Sequence, residues 1–141
     1  MANTNLTVSS DEFIINETKT VLSLTVAPGA KLTHSSGTLT ATNGITLKSD
    51  TTGTATLIDS YTEPTINATV KQYVTAGRNW YIISPVYGAP YTVLDNGNSV
   101  VEFNELTKNW DPVTSGNLLA GKGYIQAASA VQGTTNAGVI K

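Results

Sequence analysis

The chain has 141 residues, 40% of them apolar, which is enough for one ordinary domain or two small packed modules. Charged residues make up 13%, about half of the roughly 25% in an average soluble domain, and Thr, Ser and Asn take their place as solvating groups. A net charge of -2, with eight Lys and Arg spread singly, gives no electrostatic footprint for nucleic acid or an anionic membrane, and the lack of cysteine excludes disulfides, thiolate metal sites and thiol nucleophiles.

At the N-terminus, Met1-Ala2-Asn3-Thr4-Asn5 is polar and lacks the basic and apolar regions of an export signal, so it reads as a start placed behind a removed one. No run approaches the roughly 18 apolar residues of a membrane-spanning helix. A chain poor in charge and rich in Thr is expected outside the cell or on its surface.

From Leu6 to Ile58 the pattern has period two. Leu22, Leu24 and Val26 alternate with Ser23 and Thr25, and Leu39 and Ala41 with Thr40 and Thr42. Turn pairs punctuate it every 7 to 9 residues: Pro28-Gly29, Ser36-Gly37, Asn43-Gly44 and Thr52-Gly53. The stretch also repeats. Leu24-Thr25-Val26 through Gly29 to Leu32 overlays Leu39-Thr40-Ala41 through Gly44 to Leu47 at an offset of 15, and Gly37-Thr38 overlays Gly53-Thr54 at 16. This reads as coils of a β-solenoid, each covering its neighbour's apolar face. About three coils fit, with Val8 to Ile15 capping one end and the following module the other. An antiparallel meander is the alternative, for which Asn43-Gly44 is a good hairpin turn.

Beyond Asp59, Glu63-Pro64 breaks the pattern, and Ala68 to Val74 resumes it with Val70 and Lys71 on opposite faces. With no Gly/Ser-rich linker between them, the halves 1–60 and 61–141 are expected to share a continuous core. The run Arg78-Asn79-Trp80-Tyr81-Ile82-Ile83-Ser84-Pro85-Val86 is the densest apolar and aromatic stretch and predicts the central strand of the second half, ended by Pro85. Tyr91 to Leu94 and Val100 to Phe103 flank a hairpin turn at Asp95-Asn96-Gly97-Asn98. Asn109-Trp110-Asp111-Pro112 predicts another turn, Gly121-Lys122-Gly123 leads into the strand Tyr124 to Ala127, and the tail to Lys141 is weak. No segment sustains a 3.6-residue period. The expected fold is all-β, a short β-solenoid of about three coils leading into a small β-sandwich or jelly-roll-like module.

The order Gln72-Tyr73, then Gly77 to Val86, then Phe103-Asn104-Glu105-Leu106-Thr107-Lys108-Asn109-Trp110, then Leu119-Ala120-Gly121-Lys122-Gly123-Tyr124 resembles a module of large secreted surface proteins from Bacteroidetes-type bacteria. In those proteins a Thr-rich stretch similar to Leu24 to Leu57 often precedes it. The resemblance spans about Leu22 to Tyr124 and implies a non-catalytic, extracellular, adhesin-like or hydrolase-associated segment of a longer protein. It departs from the family at Gln132 to Lys141, which is polar and Gly-containing where another apolar strand is usual.

Residues able to carry chemistry are sparse. His34, the single histidine, lies beside the Ser36-Gly37 turn and reads as a solvent-facing turn residue, which leaves no catalytic triad or histidine metal site. Glu102 and Glu105 fall on opposite faces of a strand, so they do not form a glycosidase pair. Asp95, Asn96, Asn98 and Glu102 make an oxygen-rich loop of the kind that holds calcium, but without EF-hand spacing, and a hairpin turn explains the same residues. Ser84, Ser99 and Ser115 lack a nucleophile elbow, and Gly121-Lys122-Gly123 is too short for a phosphate loop. The sequons at Asn5, Asn16 and Asn67 are expected by chance in a chain this rich in Asn and Thr. No enzyme activity, metal or cofactor is expected.

Aromatics concentrate in the second half. Both tryptophans suit a sandwich core with their N–H groups tied to carbonyls. The competing reading is a carbohydrate-binding surface in which Trp110, Tyr91 or Tyr87 stacks on a sugar and Asp95, Asn96 or Asn109 accepts hydroxyl hydrogen bonds. Trp110 is the ring most easily displayed, because it falls in a predicted turn. The expected partners are neighbouring domains of a longer chain or a cell-surface glycan.

Overall fold

The computed structural model describes residues 4–60, 66–74, 78–83, 100–128 and 132–140, and every regular element among them is a strand. The first coil is β1 (Asn5–Val8), β2 (Glu12–Ile15) and β3 (Lys19–Val21). The second is β4 (Ser23–Val26), β5 (Lys31–His34) and β6 (Leu39–Ala41). A third begins with β7 (Ile45–Leu47), puts out a short hairpin of β8 (Ser49–Asp50) and β9 (Gly53–Thr54), and returns in β10 (Thr56–Asp59). Corresponding strands pair in parallel, β1, β4 and β7 on one face, β2, β5 and β10 on a second, β3 and β6 on a third. This is a three-sided β-solenoid of about three turns, and the uniformly parallel pairing between coils rules out the meander.

Parallel in-register pairing stacks like positions, so each interior side chain sits on the one a coil before. Leu6, Leu24 and Ile45 form one such ladder and Val8, Val26 and Leu47 another. Leu24 and Val26, with a coil on either side, are completely buried. On the outer side of the same face Thr7, Thr25, Thr46 and Thr69 stand in register, and their hydroxyls solvate the sheet in place of charges.

Coil length differs from the apparent repeat. Asn5 lies beside Ser23, 18 residues on, and Leu24 beside Ile45, 21 residues on. Residues 15 apart, such as Leu24 and Leu39, belong to different faces. The self-similarity is between sides of the triangle, because the three corners of the second coil are turned by the same kind of Gly-containing pair, Pro28-Gly29, Ser36-Gly37 and Asn43-Gly44. Val8 and Ile15 likewise end two strands of the first coil and do not form a separate cap. The corners stack as tightly as the faces. Gly37 has φ +83°, and a Cβ there would lie 2.4 Å from the backbone of Glu17 and Thr18 in the coil before. Gly44, also at φ +83°, stands against the Asn67 carbonyl in the same way, so Asn43-Gly44 turns a corner and does not close a hairpin.

Strand β11 (Ile66–Val74) is a fourth rung on the first face, placing Ala68 beside Ile45 and Val70 beside Leu47, both buried, with Lys71 exposed. The tail is not weak: β16 (Gln132–Ile140) pairs antiparallel with β11 along all nine of its residues. Strand pairing therefore crosses residue 60. The remaining strands, β12 (Arg78–Ile83), β13 (Val100–Asn104), β14 (Asn109–Pro112) and β15 (Gly123–Ala128), form an antiparallel sheet in the order β12-β15-β13-β14. Among the described residues the Trp80 strand is at the edge of this sheet, and β15 and β13 hold its centre. A second layer, which a sandwich requires, is not among the described residues.

Candidate functional site

Asn109 to Pro112 is a strand, and the turn lies just before it at residues 105–108. Asn104 builds this turn. Its side-chain oxygen accepts hydrogen bonds from the Leu106 and Thr107 amides at 3.0 and 3.3 Å, its carbonyl accepts one from the Lys108 amide at 2.8 Å, and Lys108 takes φ 58°. The resulting hairpin register sets Phe103 directly opposite Trp110. Their rings meet edge to face, 5.3 Å apart at 62°.

Register continues this face through Val101, Pro112 and Ile125. The opposite face holds Val100, Tyr124 and Gln126, all buried. Tyr124 is fixed there by its hydroxyl, which accepts the Leu119 amide at 2.9 Å. An antiparallel sheet with one buried face usually turns polar side chains outward. Here the outward side is apolar, and Trp110 is 45% exposed, so it is not core fill. Phe103 is the partner the sequence reading missed. A hairpin with its loop at residues 105–108 would have revealed it, but the Asn-Trp-Asp-Pro string took the turn assignment instead.

Asn109 is exposed, yet strand alternation turns it to the side of the hairpin opposite Trp110. Tyr87, Tyr91, Asp95 and Asn96 lie outside the described residues, as do Asn98, the hairpin predicted around them and the serines at 84 and 99. Side chains of the Trp80 strand are likewise not described. Glu102 lies 2.8 Å from Lys122 and holds that ammonium above its ordinary range through this hydrogen bond. Glu105 is in the turn, not on the strand, and meets Lys108 at 3.2 Å. The two carboxylates therefore do not share one target bond.

His34 corrects the sequence reading most sharply: it is 2% exposed. It belongs to β5, where Leu32 and His34 alternate inward, and stacks between Ile15 and Asp59. Its Nδ1 donates to Asp59 Oδ1 at 3.0 Å. The one imidazole of the chain is thus part of the solenoid interior. Among the described residues no group of three or more His, Asp or Glu is placed to hold a metal ion, and no helix is long and apolar enough to cross a membrane. No family model, curated protein or solved structure matches the chain.

Proposed function

We propose that the chain is a non-catalytic structural segment of a secreted or cell-surface bacterial protein, holding or presenting neighbouring domains in an adhesin-like way. The observation that carries this is the parallel coil stack continued by β11 and β16: every coil is hydrogen-bonded to the next, and no flexible joint interrupts the described face. In further support, the outer face is solvated by threonine hydroxyls, and His34 is held inside by Asp59. The likeness to modular Bacteroidetes-type surface proteins points the same way, and in this reading the β12 to β15 sheet is one layer of a small sandwich. Antibody labelling of intact cells of the source organism, and of its culture medium, is expected to detect the chain. Detection only after lysis would remove the proposal.

A second reading, a carbohydrate-binding surface, is favoured by the display of Trp110 beside Phe103. A ring on an apolar sheet face offers a flat platform for a sugar. Tryptophan fluorescence titrated against plant, host and microbial glycans is expected to change with a matching glycan. Trp110→Ala is then expected to weaken binding by about 2 kcal/mol, roughly thirtyfold in Kd. A Trp110 shielded from acrylamide, with no glycan altering the emission, would remove this reading.

A further inference from the structure

The chain contains two Asn-Gly pairs, Asn43-Gly44 and Asn96-Gly97, and the first turns a corner of the solenoid just before β7. Asparagine before glycine is the side-chain amide most easily lost from a protein, because no Cβ on the following residue screens its backbone nitrogen from the asparagine Cγ. In the reaction the Gly44 nitrogen gives up its proton and attacks Asn43 Cγ. A bond forms between them, the bond from Cγ to the side-chain nitrogen breaks, and that nitrogen leaves with the proton as ammonia. Water then opens the cyclic imide at one or the other carbonyl. One product is aspartate. In the other, isoaspartate, the main chain runs through Cβ and Cγ and is longer by a methylene.

The closed corner opposes the first step. Asn43 is exposed to water, but the nitrogen that must attack it is engaged: the Gly44 amide donates to the Ala41 carbonyl at 2.9 Å and closes the turn. The groups on either side are tied to the second coil. The Asn43 amide donates to the Leu22 carbonyl at 2.7 Å, and the Gly44 carbonyl accepts from the Leu24 amide at 3.3 Å. On its other side Gly44 stands against β11, where a Cβ would lie 2.6 Å from the Asn67 carbonyl oxygen. Turning the Asn43-Gly44 peptide toward Cγ therefore means breaking the turn and loosening bonds to the coil before.

We infer that Asn43 is a spontaneous modification site controlled by this corner: its amide is lost when the corner opens, and isoaspartate then keeps the corner from closing again. The added methylene falls just before β7, whose Ile45 and Leu47 are in register with Leu24 and Val26 on one side and with Ala68 and Val70 on the other. A longer main chain at this point either drives Gly44 into Asn67 or shifts the β7 ladder, and the register of a strand paired on both edges does not tolerate a shift. A passing local opening becomes permanent.

Peptide mapping of the full chain after incubation in mildly alkaline buffer, folded and in denaturing guanidinium, measures conversion at Asn43 separately from Asn96. The folded chain is expected to convert Asn43 at most about one tenth as fast as the unfolded chain, since the open corner is a minor population of the folded state. Equal rates would overturn the inference. Leu24→Ala, which loosens the rung that holds the Gly44 carbonyl, is expected to raise the folded rate. Should that variant not fold, guanidinium below the unfolding transition is expected to raise it in the unaltered chain. A folded rate that responds to neither overturns the inference. The isoaspartate form, separated by chromatography, is expected to melt below the unconverted chain, and an equal Tm for the two would overturn the inference as well.

Discussion

Gly37→Ala is expected to lower stability by about 3 kcal/mol, with a drop in Tm on the order of 10 °C for a chain of this length. Two costs add. At φ +83° an L-residue pays roughly 1–2 kcal/mol for the left-handed conformation. The new methyl would also lie 2.4 Å from backbone atoms of Glu17 and Thr18, closer than real contacts allow, and relieving that costs roughly 1–3 kcal/mol. The obstacle is backbone, so no side chain can rotate away. The corner must shift, and with it the Thr38 amide that approaches the Thr18 hydroxyl and the Lys19 amide bond to the Thr38 carbonyl. Urea unfolding is the measurement, read as a lower midpoint at unchanged slope. A change below about 0.5 kcal/mol would show that this corner is looser than its contacts imply.

Leu24→Ala is the second large effect, a loss of about 3 kcal/mol. Leu24 is completely buried between Leu6 of the coil before and Ile45 of the coil after. Large-to-small changes are cheapest where the surroundings collapse into the gap, and here they cannot, because strand spacing in the stack is set by backbone hydrogen bonds. Leu106→Ala is the matched control: Leu106 is 94% exposed in the turn before β14, and its loss is expected to change stability by less than about 0.5 kcal/mol. Because Leu24 and Ile45 touch the same space, the double Leu24→Ala/Ile45→Ala variant is expected to be non-additive, which the same unfolding series measures.

Both expectations depend on which residues stack, and that was only partly legible in the chain. Period-two alternation around Leu24 and Leu39 was enough for strands with one buried face, and the regular Gly-containing pairs were enough for a solenoid. Coil length was not legible, because three short sides joined by chemically similar corners resemble one another as closely as successive coils do. The offset of 15 matched side to side, and only the pairing of Leu24 with Ile45 distinguishes a side from a coil.

The candidate site shows the same division. Sequence favoured a core role for both tryptophans and offered display of Trp110 only through a turn at Asn109 to Pro112, which is a strand, so neither its exposure nor its neighbour was legible. Phe103 meets it because Asn104 gathers the Leu106, Thr107 and Lys108 amides and so fixes the loop at residues 105–108. Sequence by itself determined the all-β class, the hydroxyl-rich outer surface and the apolar inner side of each strand, since these follow from side-chain chemistry repeated every second residue. Tertiary structure alone decided that His34 turns inward to Asp59 and that Gln132 to Ile140 is a strand. His34 looks like a turn residue until Leu32 sets the phase of its strand. The tail has too little apolar alternation to declare itself and is ordered by the backbone of β11 along its whole length.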